Sequence, residues 1–257
     1  MENINNVTRA LYNQLMQAST AHKLLELNRR FYFYFGASFS ATRQRLQPGV
    51  RKIIAGLAGT ERILDLGCGN GELARSLAQN EFQGTYLGLD FSLPLLGDAR
   101  SQPEGFPVAF GEADLTDSNW DQSLLPAQFS LITAFAVLHH IPSTEMRLDL
   151  LRKARNLLAP AGKFLHSNWQ FLNSEKLKAR IQPWEAAGLS AADMDDADYL
   201  LDWRAGGAGL RYAHHFSAQE LGELALASGF RVLESFFSDG EGGRLGLYQV
   251  WERDEES

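Results

Sequence analysis

Seven residues, Asp65-Leu66-Gly67-Cys68-Gly69-Asn70-Gly71, carry the densest chemical signal in the chain. Glycines let a backbone approach a ligand that a β-carbon would hold away. Their spacing is G-x-G-x-G, and Glu72 stands where a dinucleotide fingerprint would have its third glycine. No Gly-Lys-Ser/Thr follows, so a phosphate-cradling P-loop is excluded too. Asp65, just ahead of the loop, would repel a pyrophosphate and suits a cationic amino group. The expected ligand is a nucleoside bearing a positively charged tail. Asp90 and Asp114 close the next two apolar runs. Asp90 is placed to accept hydrogen bonds from two ribose hydroxyls, and Asp114 from an adenine amino group. A single aspartate at such a position serves as a turn or cap residue. Three beside one glycine loop, at the edge where parallel sheets bind ligands, mark a site.

A second group of polar residues lies further along: His139, His140, Trp169, Arg211, Tyr212 and His214. Arginine offers a two-pronged grip on a carboxylate or phosphate, and a histidine can act as a base. Together with His215 the histidines match metal ligands by type. No carboxylate or cysteine spacing supports such a centre, so no metal is expected. Cys68 is the only cysteine, which excludes an intrachain disulfide and a thiolate zinc cluster.

The elements that position these groups follow from periodicity. Leu11, Leu15, Leu24, Leu25 and Leu27 predict a helix over 6–35, ending in FYFYF (31–35) as buried core and broken by Gly36. Pro48 opens a second helix carrying Val50, Ile53, Ile54 and Leu57. From Arg62, the runs RILDL (62–66), TYLGLD (85–90), PVAFGEAD (107–114), FSLITAF (129–135) and KFLHSNW (163–169) alternate with helical stretches at 71–79, 93–100 and 145–158. APAGK (159–163) reads as a helix stop and turn. Strands alternating with helices predict an α/β fold, a doubly wound, Rossmann-like parallel sheet covered on both faces. Residues 170–212 lapse into a polar, irregular stretch with DMDDAD and AGGAG, expected to be an inserted cap. Ser217 and Glu220 have capping-box spacing for a last helix closed by Gly229. RVLESFF (231–237) and LGLYQVWE (245–252) form a terminal hairpin. The expected division is a helical arm over 1–60 and a ligand-binding domain over 61–257, with the cap at about 170–212.

The chain has 257 residues, 45% of them hydrophobic and 21% charged, which excludes a disordered chain. No run approaches the ~18 apolar residues of a membrane helix, and MENINNVTRALYNQ lacks a signal-peptide layout. A cytoplasmic protein with no membrane partner is the expectation. The net charge of −7 is uneven: residues 1–60 hold eight basic and two acidic residues, or +6, which leaves −13 for the remainder. A pI near 5.4 excludes a uniformly basic nucleic-acid binder. A basic arm on an acidic body can still orient an anionic partner.

ILDLGCGNGELA, YLGLDFS, GEADLTD and FSLITAFAVLHHI, spread over about 62–169, resemble the class I S-adenosylmethionine (SAM)-dependent methyltransferases. The resemblance implies sheet order 3-2-1-4-5-7-6 with the last strand antiparallel. It also implies SAM as cofactor and S-adenosylhomocysteine as product. Cofactor contacts carry over to Asp65, Gly67, Cys68, Gly69, Asp90, Phe91, Ser92, Asp114, Leu115, Ala134, Phe135 and Ala136. Ser130 stands where the family's F-D-x-I motif has its aspartate. ASFSATRQR (37–45), AVLHHI (136–141), SNW (167–169) and RYAHHF (211–216) further resemble the tRNA wobble-uridine carboxymethyl methyltransferases. That likeness implies that Arg43 closes over the SAM carboxylate and that tRNA is the acceptor. Ser38 replaces a family His, Ala213 replaces a Tyr, and an acidic insert replaces a Lys-rich one.

Methyl transfer from a sulfonium needs alignment more than acid–base help. An ionised carboxylate acceptor would need donors, and His139, His140, Trp169, Arg211, Tyr212 and His214 are the candidates. A hydroxyl or amine acceptor would instead make His139 or His140 the base. The acceptor is expected to be a tRNA wobble uridine or a small carboxylic or hydroxylated metabolite. Two further readings are a non-catalytic SAM-fold binding subunit, against which the intact loop and acids argue, and a nicotinamide oxidoreductase, which the glycine spacing disfavours. An activating protein partner is not legible in the sequence.

Overall fold

The computed structural model describes residues 16–41, 45–101, 107–204 and 207–254, with the backbone alone at 37 and 39. Among the described residues two helices, α1 (Ala18–Ala41) and α2 (Pro48–Ile54), precede the first strand. Then β1 (Arg62–Leu66), α3 (Glu72–Gln79), β2 (Thr85–Asp90), α4 (Leu93–Ala99), β3 (Val108–Glu112), β4 (Phe129–Phe135), α5 (Thr144–Leu157) and β5 (Leu158–Trp169) alternate. After them come α6 (Glu175–Lys178), β6 (Ile181–Gln182), β7 (Asp198–Trp203), β8 (Gly209–His214), α7 (Ala218–Ala227), β9 (Phe230–Ser238) and β10 (Gly246–Arg253).

The main sheet has the order β3-β2-β1-β4-β5-β10-β9. β1 to β5 pair in parallel, while β10 runs antiparallel to both β5 and β9. Counting this sheet's strands alone, the order is the expected 3-2-1-4-5-7-6 with an antiparallel last strand. Successive residues of a strand face opposite sides, so each strand feeds two cores. Ile63, Leu131, Leu165 and Tyr248 pack beneath α2 and α3. Leu64, Ile132, Ala134, Phe164 and Trp251 pack beneath α5 and α7. APAGK is both turn and strand, because Ala161 takes a φ of 57° and the β4–β5 register slips across it.

Three expectations change. Gly36 does not end α1, which continues to Ala41. A β-carbon at Gly36 would lie 3.7 Å from Ser92 Oγ and 3.9 Å from Leu95 and Pro94, ordinary contact distances, so the glycine sits in regular helix against α4 with no conformational demand to break it. FYFYF is not one buried cluster: Phe31 is buried, whereas Phe33 and Tyr34 are 70% and 69% exposed. Five consecutive residues on a helix fan around its whole circumference and cannot share a face. The stretch 170–212 is not irregular, since it builds a second sheet in the order β6-β7-β8, antiparallel throughout. The part of the predicted first helix before residue 16 lies outside the described residues. Among the described residues no helix is long and apolar enough to cross a membrane.

Candidate functional site

β1 delivers the glycine loop to the carboxyl edge of the sheet. Gly67 and Gly69 adopt left-handed φ angles of 69° and 55°. Gly67 and Cys68 donate their N–H groups to the Leu89 carbonyl at 2.7 and 3.0 Å, folding the loop over the end of β2. A β-carbon at Gly67 would meet Val137 Cγ2 at 2.5 Å, but at Gly69 it would meet nothing within 4 Å. Gly69 N–H then donates to Asp90 Oδ2 at 2.9 Å, and Ser92 N–H donates to Asp90 Oδ1 at 2.8 Å. Each oxygen of this carboxylate keeps a lone pair for a ligand hydroxyl. Burial raises its pKa against the opposing pull of those N–H donors.

Asp65 is also buried, accepting from Tyr86 Oη at 2.5 Å and Thr133 Oγ1 at 2.6 Å. Burial pushes its carboxyl up to about 6, against the pull of the two hydroxyls. Burial, together with the Asp65 and Asp90 charges, pushes up the neighbouring Cys68 thiol as well.

A cavity of about 590 Å³ runs along this edge. Asp65, Gly67, Cys68, Gly69, Asp90, Phe91, Asp114, Leu115, Phe135 and Ala136 all line it. Two residues of the expected cofactor set do not. Ala134 points into the core under α5, and Ser92 contributes through the N–H that holds Asp90. Asp114, two residues past β3, is already engaged. Its Oδ1 accepts from Thr116 N at 3.0 Å and Thr116 Oγ1 at 2.6 Å, and its Oδ2 accepts from Arg29 of α1. Burial alone would raise the Asp114 pKa, but these donors outweigh it and hold the carboxyl below its ordinary value. Arg43 lies outside the described residues.

His139, His140, Trp169 and Arg211 line the other end of the cavity. Trp169 N–H donates to His139 Nδ1 at 3.3 Å, which puts the proton of the neutral ring on Nε2. His140 is spanned on both sides. Its Nδ1 donates to the Tyr212 carbonyl at 3.0 Å, and its Nε2 accepts from Tyr32 Oη at 3.1 Å. It is a bracket between elements and has no lone pair for a base. Arg211 is buried, with its guanidinium carbon 4.5 Å from the Trp169 ring centre, 5.4 Å from Phe31 and 5.7 Å from Trp203. Aromatic faces of this kind hold a planar cation flat.

Tyr212 and His214 are absent from this wall. Alternation along β8 turns them to the face opposite Arg211. There Tyr212 Oη donates to Asp198 Oδ1 at 2.8 Å, and His214 sits between Asp198 Oδ1 at 2.7 Å and Glu220 Oε1 at 2.8 Å. Four residues that bound or brace the site carry no site assignment from the sequence, Asn28, Arg29, Tyr32 and Ser40, and Asn70 is read there only as a member of the glycine loop. Asn28 Oδ1 accepts from Tyr212 N at 2.8 Å, and its Nδ2 donates to the Tyr212 carbonyl at 3.2 Å. Asn70 of the glycine loop donates to Ser40 Oγ at 3.1 Å, and Ser40 donates to Asp98 at 2.8 Å. One signal was available. Asn28 falls on the stripe of Leu24 and Phe31, and a polar side chain on a buried stripe must find a partner. Among the described residues, no group of three or more His, Cys, Asp or Glu side chains is placed to hold a metal ion.

A nucleoside with a cationic tail fits these groups: Asp90 beside an open glycine for the hydroxyls, and Asp65 for the amino group. A family model described as a methyltransferase domain matches residues 38–235. A protein of Encephalitozoon cuniculi that carries a methyltransferase name is 31% identical over 206 residues, 80% of this chain and 87% of that one. The ubiquinone biosynthesis O-methyltransferase of Chromobacterium violaceum is 26% identical, over 68% of this chain and 66% of its own. The mouse tRNA (carboxymethyluridine(34)-5-O)-methyltransferase is 26% identical over 64% of this chain but only 23% of its own. Among solved structures, the Burkholderia thailandensis 1,6-didemethyltoxoflavin-N1-methyltransferase, with S-adenosylhomocysteine bound, shares the fold at a TM-score of 0.65 and 18% identity. It matches over 93% of this chain and 92% of that one. The chain belongs to the methyltransferase-domain family, and it is a class I SAM-dependent methyltransferase.

Proposed function

We propose that the methyl acceptor is a carboxylate. One observation carries this reading: the acceptor end of the cavity presents donors and no free imidazole base. The neutral His139 ring carries its proton on Nε2, because Nδ1 accepts from Trp169 N–H, and both nitrogens of His140 are used. Asp65 is committed to Tyr86 and Thr133. A hydroxyl or amine acceptor would have to lose a proton here, whereas a carboxylate is already ionised.

Bound SAM supplies an electrophilic methyl group on a sulfonium. Arg211 grips the acceptor carboxylate, in a plane set by its three aromatic neighbours. The His139 Nε2–H adds a second donor, and the Trp169 ring closes the wall against water. With SAM bound, an acceptor oxygen held there would attack the methyl carbon, the C–O bond would form as the C–S bond breaks, sulfur would keep the electron pair, and no proton would move. The product is a methyl ester. Residues 1–60 act as an arm over the cleft, through α1, and the 170–212 insert supplies Arg211.

The carboxymethyl group of a tRNA wobble uridine is one acceptor of this class, supported by the ordered motif resemblance and the mouse relative. A small carboxylic metabolite is favoured by Asp193, Asp195 and Asp196 on the insert that carries Arg211, because these acids would repel the many phosphates of a polyanion far more than a single carboxylate. The test is labelled methyl transfer from SAM into total tRNA and, separately, into a small-molecule extract. Methyl esters are cleaved by mild alkali, while methyl ethers and N-methyl groups survive it. Alkali-labile label is expected, and its distribution between the two pools identifies the acceptor class. Alkali-stable label in both pools would overturn the carboxylate reading.

A further inference from the structure

Behind β8, on the side away from Arg211, five polar side chains are packed together and none lines the cleft. They are Arg147 on α5, Asp198 on β7, Tyr212 and His214 on β8, and Glu220 on α7. Arg147 is 1% exposed. A guanidinium buried so deeply is costly unless its donors are met. Its Nε donates to the Ile141 carbonyl at 2.9 Å, and its Nη2 donates to Tyr212 Oη at 3.0 Å. The Asp198 and Glu220 carboxylates each lie 3.8 Å from it, and the Phe216 ring centre is 4.9 Å away.

The two acceptors of Arg147 both adjoin the acceptor end of the cavity. Ile141 directly follows the turn Leu138–His140, which carries His139 and His140. Tyr212 directly follows Arg211, and its main chain is held by Asn28 and His140. Tyr212 is therefore fixed at its amide, its carbonyl and its hydroxyl. Well-packed apolar side chains of similar volume could hold the same elements together without the burial of charge. A forked cation does something they cannot, since it ties two chain segments to one plane by directed bonds.

We infer that Arg147 is a positioning residue for methyl transfer: through Tyr212 it sets Arg211, and through Ile141 it sets the His139–His140 turn. The inference rests on the reading that Arg211 grips the acceptor, but its test does not need the acceptor. Arg211 lies among the rings of Trp169, Trp203 and Phe31, so ring currents displace its Nε–H resonance. In the nitrogen-labelled full chain that resonance is assigned by its loss in Arg211→Lys. Tyr212→Phe removes a single oxygen, and Arg147→Lys keeps the charge but loses the fork.

Both variants are expected to move the Arg211 resonance toward the position of a free arginine. SAM affinity by calorimetry should stay within about twofold of the unsubstituted protein, because no cofactor contact is altered. Methyl transfer into total tRNA or the small-molecule extract should lose roughly ten- to a hundredfold in kcat, as displacement of about 1 Å does at a reacting centre. An unmoved Arg211 resonance in Tyr212→Phe, whatever the thermal stability, would show that the network only holds the fold. Should Arg147→Lys fail to fold, Tyr212→Phe alone decides. Undiminished transfer by Arg211→Ala would overturn the carboxylate reading and leave the resonance test standing.

Discussion

Burial lifts the Asp65 carboxyl from its ordinary 3.8 to about 6, so the folded protein binds a proton there that the unfolded chain has already released. The sign is opposite to that of a salt-bridged acid. Between those two values the stability contributed by Asp65 falls as pH rises, because the buried carboxylate must ionise. A cationic cofactor needs that ionised form, so affinity for SAM should rise through the upper part of the same window. Calorimetric titrations between about pH 5 and pH 7.5 should show affinity climbing through about 6. Asp65→Asn should bind weakly with a flat profile, and a parallel slope in the variant would separate Asp65 from the cofactor. Asp90 is tested more simply. Asp90→Ala leaves two ligand hydroxyls without their acceptor, a loss of about 1–3 kcal/mol or roughly ten- to a hundredfold in SAM affinity. Unchanged affinity in a folded variant would remove that assignment.

The glycine loop shows how one element can fail in two ways. Gly67→Ala drives a methyl group into Val137 at a φ of 69°, so the thermal midpoint should fall along with affinity. Gly69→Ala meets open space at a φ of 55° and costs about 1–2 kcal/mol of backbone strain. Its fold should therefore persist while SAM binding weakens, as thermal melting with and without SAM would show. A Gly69→Ala variant that keeps its affinity would mean the loop is not the cofactor cradle. The loop was legible because glycine spacing between a strand and a helix records a steric demand directly. Strand order and the terminal hairpin were legible for a similar reason, through turn residues and a switch of period. The RYAHH cluster was not. It reads as a concentration of donors, yet alternation along β8 sends Arg211 to the cavity and Tyr212 and His214 behind it, and no local signal says which face is which. Arg147 was hidden on α5 among ordinary charged helix positions, because only packing shows which charge is buried.

At the scale of the molecule, residues 1–60 and the remainder of the sequence differ in charge by sign, +6 against −13. A tRNA acceptor would make phosphate contacts along the basic arm, so its binding should weaken steeply as salt rises, whereas a small carboxylate should show a shallow dependence. Acceptor KM measured at several salt concentrations distinguishes the two, and a shallow slope counts against tRNA. α1 itself touches both ends of the cleft. Arg29 reaches Asp114 and Ser40 reaches Asn70 at the nucleoside end, while Asn28 clamps Tyr212 and Tyr32 meets His140 at the acceptor end. A single stiff rod bolted at four points cannot uncover one end and leave the other shut. Spent cofactor and methylated product are therefore expected to leave in one event, and that event is expected to be slower than the transfer it follows. Rapid-quench kinetics should show a burst of about one methyl ester per protein molecule before the steady state, and Tyr32→Phe, which loosens one bolt, should raise the steady rate without enlarging the burst.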